Sequence, residues 1–277
     1  MNFERLEIPV GEFVLDAIAA GPADGELVLL LHGFPESSWE WRFQLQALGE
    51  AGYRAVAPDQ RGYSARARPG AVEDYHPLHM VADTIAMADW LGGHQFHLVG
   101  HDWGAAVAWA VAGLHPERLR TLTIVSVPHP KAFATALQTE DQQNRSSYIH
   151  LFRQEGKAEE VLLGGDGAAL RAMLTGTGAA EEHARVLTQP GAMTAALNWY
   201  RAMEPGLVGD IPDITTPTLF IWSTNDVALG RDGAEATAQY VKGPYRFEVL
   251  EGVSHWIPEE APEQLNELLL EHLRSAV

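Results

Sequence analysis

The chain has 277 residues, 46% hydrophobic and 20% charged, which suits one large core carrying a smaller inserted lobe and excludes a disordered segment. Its 19 basic against 37 acidic residues leave a formal net charge of −18, which argues against nucleic acid as a partner and disfavours a strongly anionic substrate. With no cysteine, a disulfide framework, a thiolate nucleophile and a cysteine-based zinc or iron–sulfur site are excluded.

The opening Met-Asn-Phe-Glu-Arg-Leu-Glu-Ile-Pro lacks the basic-then-apolar order of a secretory signal. The longest purely aliphatic run, Leu27–Leu31, is far below the ~20 residues of a membrane span. A soluble cytoplasmic protein that spans no membrane is therefore expected, in which the sequon Asn144-Arg145-Ser146 goes unused. Phe13–Ala20 reads as a flanking strand, and Leu27–Leu31, 55–58, 96–99, 122–125 and 218–222 as strands buried on both faces. Residues 246–250 form a second flanking strand. Between these runs Trp41, Leu45 and Leu48, then Met80, Thr84, Met87 and Leu91, and finally Leu265, Leu268, Leu269 and Leu273 recur at helical spacing. The alternation predicts an α/β fold, a mostly parallel sheet covered by helices on both sides. From 131 to 213 the strand-like runs vanish, and short helices are expected between the breakers Gly164-Gly165, Gly176 and Pro190-Gly191. The division that follows is a core of 1–130 with 214–277, and a helical insertion at 131–213.

Four segments carry chemistry, each after a predicted strand. His32-Gly33-Phe34-Pro35 offers the backbone N–H of Phe34. Gly100-His101-Asp102-Trp103-Gly104 is a strand–turn–helix junction that leads into a helix at 105–114, with aspartate where a nucleophilic serine often sits. Its glycines suit a strained elbow, whereas an ordinary reading makes Asp102 a helix cap. The Trp103 N–H at the helix start lies opposite that of Phe34, and two such donors form an oxyanion hole. Ser223-Thr224-Asn225-Asp226 places an acid past the strand at 218–222, and Gly252-Val253-Ser254-His255-Trp256 places a histidine before the last helix. Separately, Asp226 reads as a turn residue and His255 as a solvated loop residue; together with Asp102 they make a nucleophile–acid–histidine order at carboxyl strand ends. Trp39 is a candidate pocket residue, equally readable as core. His76, His79 and Asp83 share a helix face at metal-ligand spacing, but a solvated helix start explains them better, so no metal is expected. Gly164-Gly165-Asp166-Gly167 lacks the Lys-Ser/Thr of a phosphate loop and reads as a turn.

His32-Gly33-Phe34-Pro35-Glu36-Ser37, Asp59-Gln60-Arg61-Gly62-Tyr63-Ser64, Gly100-His101-Asp102-Trp103-Gly104 and Gly252-Val253-Ser254-His255-Trp256 are each similar to signatures of one group. Over essentially its whole length the chain resembles the epoxide hydrolase and haloalkane dehalogenase branch of the α/β-hydrolases, soluble epoxide hydrolases above all. The resemblance implies an eight-stranded, mostly parallel sheet with 131–213 as a helical cap, and a reaction without a cofactor. A carboxylate is ionised at neutral pH and attacks saturated carbon without a base, leaving an alkyl ester for a histidine-activated water to cleave. In the cap, Leu197-Asn198-Trp199-Tyr200-Arg201-Ala202-Met203 is similar to the segment carrying one ring-opening tyrosine, here Tyr200. The segment Ser147-Tyr148-Ile149-His150-Leu151-Phe152-Arg153-Gln154 is similar to the one carrying the second. Tyr148 is the choice there, with His150 as a substitute donor and Phe152 lining the pocket; Tyr200 also shares a helix face with Met193 and Leu197 and suits a core. The partners implied are a small apolar epoxide and water, for a monomer or homodimer. Two alternatives stand beside this: a haloalkane dehalogenase, disfavoured because that group often has asparagine where Phe34 stands, and a non-enzymatic small-molecule receptor.

Overall fold

In the computed structural model, residues 3–203 and 211–275 are described. The apolar runs become strands β1 (Glu4–Val10), β2 (Phe13–Ala20), β3 (Leu27–Leu31), β4 (Arg54–Pro58), β5 (Phe96–His101), β6 (Leu119–Val125), β7 (Thr218–Ser223) and β8 (Tyr245–Leu250). They form one sheet of eight strands in the order β1-β2-β4-β3-β5-β6-β7-β8. Strand β2 runs antiparallel to β1 and β4, and every other pairing is parallel. Strands β2 and β3 match the sequence expectation, and β4 to β8 each run one to three residues longer. The sequence pattern gave no sign of β1, because this edge strand buries only Ile8 and Val10 and turns its charged residues outward.

The sheet is apolar on both faces, and alternate residues divide between two cores. Leu29 and Leu31 of β3 pack on one side with Met87 of the helix Pro77–Trp90 and Trp109 of the helix Trp103–Leu114. Val28 and Leu30 pack on the other with Leu45 and Leu48 of the helix Arg42–Glu50 and Leu265 and Leu269 of the helix Pro262–Arg274. The parallel strands therefore all end on one edge, where the loops after β3, β5, β7 and β8 meet.

Between β6 and β7 the chain forms helices at Pro130–Ala136, Glu140–Arg145, Ile149–Phe152, Lys157–Met173, Ala180–Leu187 and Ala192–Arg201. The Lys157–Met173 helix is broken at Gly164, and the next three residues have positive φ (57°, 61° and 73°), the turn expected from Gly164-Gly165-Asp166-Gly167. Of the predicted insertion 131–213, residues 204–210 lie outside the described residues. The helices are tied to the sheet edge by Trp199 Nε1 donating to Arg61 O at 2.9 Å and Ser37 N donating to His183 Nδ1 at 3.1 Å. No helix among the described residues is long and apolar enough to cross a membrane.

Candidate active site

Asp102 sits where β5 turns directly into the helix Trp103–Leu114, with φ 48° and ψ −120°, a backbone conformation that side-chain-bearing residues rarely adopt. Only glycines fit around it. A Cβ on Gly104 would lie 2.0 Å from the carbonyl oxygen of Leu31, and one on Gly33 would lie 2.3 Å from the Cβ of Asp102 itself. The elbow thus pushes the carboxylate out of the sheet edge against the loop after β3. There Phe34 N–H donates to Asp102 Oδ1 at 2.8 Å. The helix begins at Trp103, so its first N–H groups have no partner within the helix and lie at its positive end.

The loops after β7 and β8 complete a chain of side chains. His255 Nδ1 donates to Asp226 Oδ2 at 2.8 Å, and His255 Nε2 lies 3.5 Å from Asp102 Oδ2. The other Asp226 oxygen accepts the N–H groups of Ala228 and Leu229 at 2.8 and 2.9 Å, which fixes the carboxylate in place. Burial alone would raise the Asp102 carboxyl, but the His255 hydrogen bond and charge, the charge of His101 and the Phe34 N–H outweigh it and hold it below the usual carboxylate range. Burial likewise works against a charged His255. The Asp226 charge and the contacts with both carboxylates prevail and hold the imidazole well above its ordinary value. The Asp102 side chain keeps 14% exposure, so an ionised oxygen pair remains within reach of a ligand.

Aromatic rings wall this carboxylate. Tyr200 stacks edge-on against Trp103, Phe34 and Phe152, with centroids 5.1, 5.3 and 5.0 Å away. Tyr148 lies 6.2 Å from Tyr200 and 5.2 Å from Phe152. Burial pushes both phenols up, and the Asp102 charge pushes both further. The helix pattern of Met193, Leu197 and Tyr200 does bury Tyr200, but its ring stands against the two residues whose backbones flank Asp102.

Asp102, Asp226, His255, Phe34, Trp103, Tyr148, Tyr200 and Phe152 are thus brought together, and two expected site residues are not. Trp39 packs edge-on with Phe3 at 5.8 Å and lines a separate groove of about 400 Å³ with Arg5, Asp16, Asp59 and Arg185. His150 is exposed, because the turn that carries Phe152 inward carries position 150 outward. Asp83, the potential metal ligand beside His76 and His79, is instead held by a two-pronged contact with Arg61 at 2.7 and 2.8 Å.

The sequence reading missed a layer of buried polar groups behind the site. His101 Nε2 donates to the His255 carbonyl at 3.0 Å, and Ser126 Oγ donates to the same oxygen at 3.3 Å. Glu36 and Glu40 face the other nitrogen of His101. The available signal was two glutamates four residues apart in a loop that otherwise becomes buried. Among the described residues, two groups bring three metal-capable atoms within 4.8 Å of one another, Glu36/Glu40/His101 and Glu36/His183/Glu259. In the second, the Arg42 guanidinium bonds Glu259 and already fills the place of a cation.

The alpha/beta hydrolase fold family matches residues 26–262. The chain is 36% identical over 271 residues to the AB hydrolase superfamily protein YfhM of Bacillus subtilis, covering 94% of each chain. It is 33% identical over 280 residues to Epoxide hydrolase 2 of Caenorhabditis elegans, covering 96% of this chain and 78% of that one. The crystal structure of Epoxide Hydrolase A from Mycobacterium thermoresistibile superposes with a TM-score of 0.86 at 30% identity, over 99% of this chain and 98% of the other.

Proposed function

The chain belongs to the α/β hydrolase family, and from that premise we propose that it is an epoxide hydrolase, opening an apolar epoxide to a vicinal diol through an ester on Asp102. The observation that carries this reading is a carboxylate held at the elbow by the Phe34 N–H and facing His255, walled by the rings of the buried Tyr200 and the partly buried Tyr148. The epoxide hydrolase names of several relatives agree with it.

In the first step an Asp102 oxygen bonds to an epoxide carbon and the C–O bond of the ring breaks. The departing oxygen is an alkoxide, a stronger base than a phenolate, and takes a proton from Tyr148 or Tyr200. Both phenols are protonated at neutral pH and can release the proton as the alkoxide forms. Ester formation also removes the Asp102 charge. One of the two carboxylates that hold His255 as a cation is lost, so the imidazole gives up its proton more readily; that proton restores the phenol, and the neutral imidazole can then serve as a base.

In the second step His255 Nε2 takes a proton from water, and the oxygen of that water bonds to the Asp102 carbonyl carbon. Asp226 keeps the proton on Nδ1 and stabilises the imidazolium. The developing oxyanion faces the N–H groups of Phe34 and Trp103. Collapse breaks the acyl C–O bond, the departing alkoxide takes the proton of the added hydroxyl, and the diol leaves with the Asp102 carboxylate and the His255 cation restored. In this reading 131–213 is the cap, which supplies the phenols and the wall of Phe152, and Phe34 lends a halide no side-chain donor.

The test pairs diol formation from styrene oxide with acid release from a haloalkane panel. Diol with no acid supports the reading; acid release with no diol replaces it with a dehalogenase. Retained ligand affinity in Asp102→Ala, with no covalent adduct formed by the unaltered chain, would point to a receptor.

A further inference from the structure

Glu36 and Glu40 lie four residues apart across the short helical turn Ser38–Trp41, both side chains fully buried, 3.3 and 3.0 Å from His101 Nδ1. Two of their contacts lead outward to the reacting groups. Glu40 Oε2 accepts the N–H of Gly33 at 3.1 Å, and Gly33 immediately precedes the oxyanion donor Phe34. His101 Nε2 contacts the carbonyl of His255 at 3.0 Å, and since a carbonyl has no proton to give, that nitrogen must carry one. The line Gly33–Glu40–His101–His255 therefore joins the loop that holds the oxyanion to the loop that holds the base.

The remaining contact on this line brings Glu40 Oε1 to 3.0 Å from His101 Nδ1, and both atoms are buried without another hydrogen-bond partner, so each leans on the other. Burial, followed by the Glu40 charge, pushes Glu36 well above the usual carboxylate range. Burial raises Glu40 too, against the pull of the Gly33 N–H and with the Glu259 charge adding to the rise. Glu259 is already paired with Arg42, with His183 Nε2 3.4 Å away.

We propose that Glu40 and His101 are positioning residues for the ester-hydrolysis step, whose buried contact holds the Gly33–Phe34 oxyanion loop against the backbone of His255. This rests on the epoxide hydrolase reading above. The bridge matters to hydrolysis in particular because only there do the oxyanion donor and the base act together; ring opening needs the Asp102 carboxylate and the phenols.

Rapid mixing with styrene oxide, followed by intact-protein mass spectrometry, reads the formation and decay of the ester separately. Glu40→Leu removes both contacts and is expected to slow decay at least about tenfold while formation stays within about threefold. Glu40→Gln restores both, its carbonyl accepting from Gly33 and its amide N–H donating to Nδ1, and is expected to bring decay back to within about threefold of the unaltered enzyme. His101→Asn, too short to reach the His255 carbonyl, is expected to slow decay selectively. Should Glu40→Leu not fold, His101→Asn against Glu40→Gln decides alone.

Three results would overturn the proposal: Glu40→Gln as slow as Glu40→Leu or unable to fold, His101→Asn slowing both steps equally, or a divalent metal at one equivalent in the purified protein that Glu40→Gln loses. If the unaltered enzyme forms neither ester nor diol, the epoxide hydrolase reading itself fails, and that outcome is read before any variant is made.

Discussion

Replacing His255 with glutamine separates the two steps of the proposed reaction. The amide can still bond to Asp226, where His255 Nδ1 now sits 2.8 Å from Oδ2, and Asp226 keeps its two backbone donors, so the loop should hold its shape. What disappears is the base. A well-placed general base is worth roughly 10²–10⁴ in rate, so a loss of about 10³, or about 4 kcal/mol of barrier, is expected in ester hydrolysis. Ring opening loses only an imidazolium 3.5 Å from Asp102 Oδ2. Its removal lets the Asp102 pKa rise, but the Phe34 N–H and the charge of His101 still favour the anion, and the carboxylate stays ionised at neutral pH. Ring opening is therefore expected to slow by less than about tenfold. The ester should accumulate towards one per chain, seen by mass spectrometry as a gain equal to one styrene oxide. Normal turnover without that adduct would refute the reasoning, as would a folded variant that neither turns over nor gains mass.

Other expectations follow from the same geometry. Tyr200→Phe should slow ring opening roughly 100-fold and leave ester decay nearly unchanged; equal slowing of both in rapid-mixing experiments would remove Tyr200 as the donor. Asp226→Asn takes away the charge that does most to raise His255, so the acid limb of ester hydrolysis should move to lower pH while the rate falls roughly 10³-fold, measured as a pH–rate profile. Gly104→Ala drives a methyl group into the Leu31 and His32 carbonyl oxygens, at 2.0 and 2.8 Å, and should cost about 3 kcal/mol in denaturant unfolding.

Much of this was legible in the sequence because it depends on local pattern. Strands buried on both faces, such as Leu27–Leu31, leave continuous aliphatic runs, and the elbow leaves its glycines because a Cβ at Gly33 or Gly104 would collide with Asp102 or with the β3 backbone. Residues set by long-range packing left weaker marks. Trp39 follows the His32–Pro35 loop in sequence, but the turn Ser38–Trp41 carries it over the edge to Phe3. His150 and Phe152 are two residues apart in one turn, and only the tertiary contact with Phe34 and Tyr200 decides which points inward. The Glu36, Glu40 and His101 trio spans two strand ends, and neither segment alone reveals that the other lies against it.

The central claim is that the oxygen delivered to the substrate comes first from Asp102, and a single turnover in ¹⁸O-labelled water tests it. With enzyme in excess over styrene oxide, the account predicts unlabelled diol oxygen and one ¹⁸O in the peptide that contains Asp102. Labelled diol from an unlabelled peptide would mean that water attacks the epoxide directly, and would contradict it.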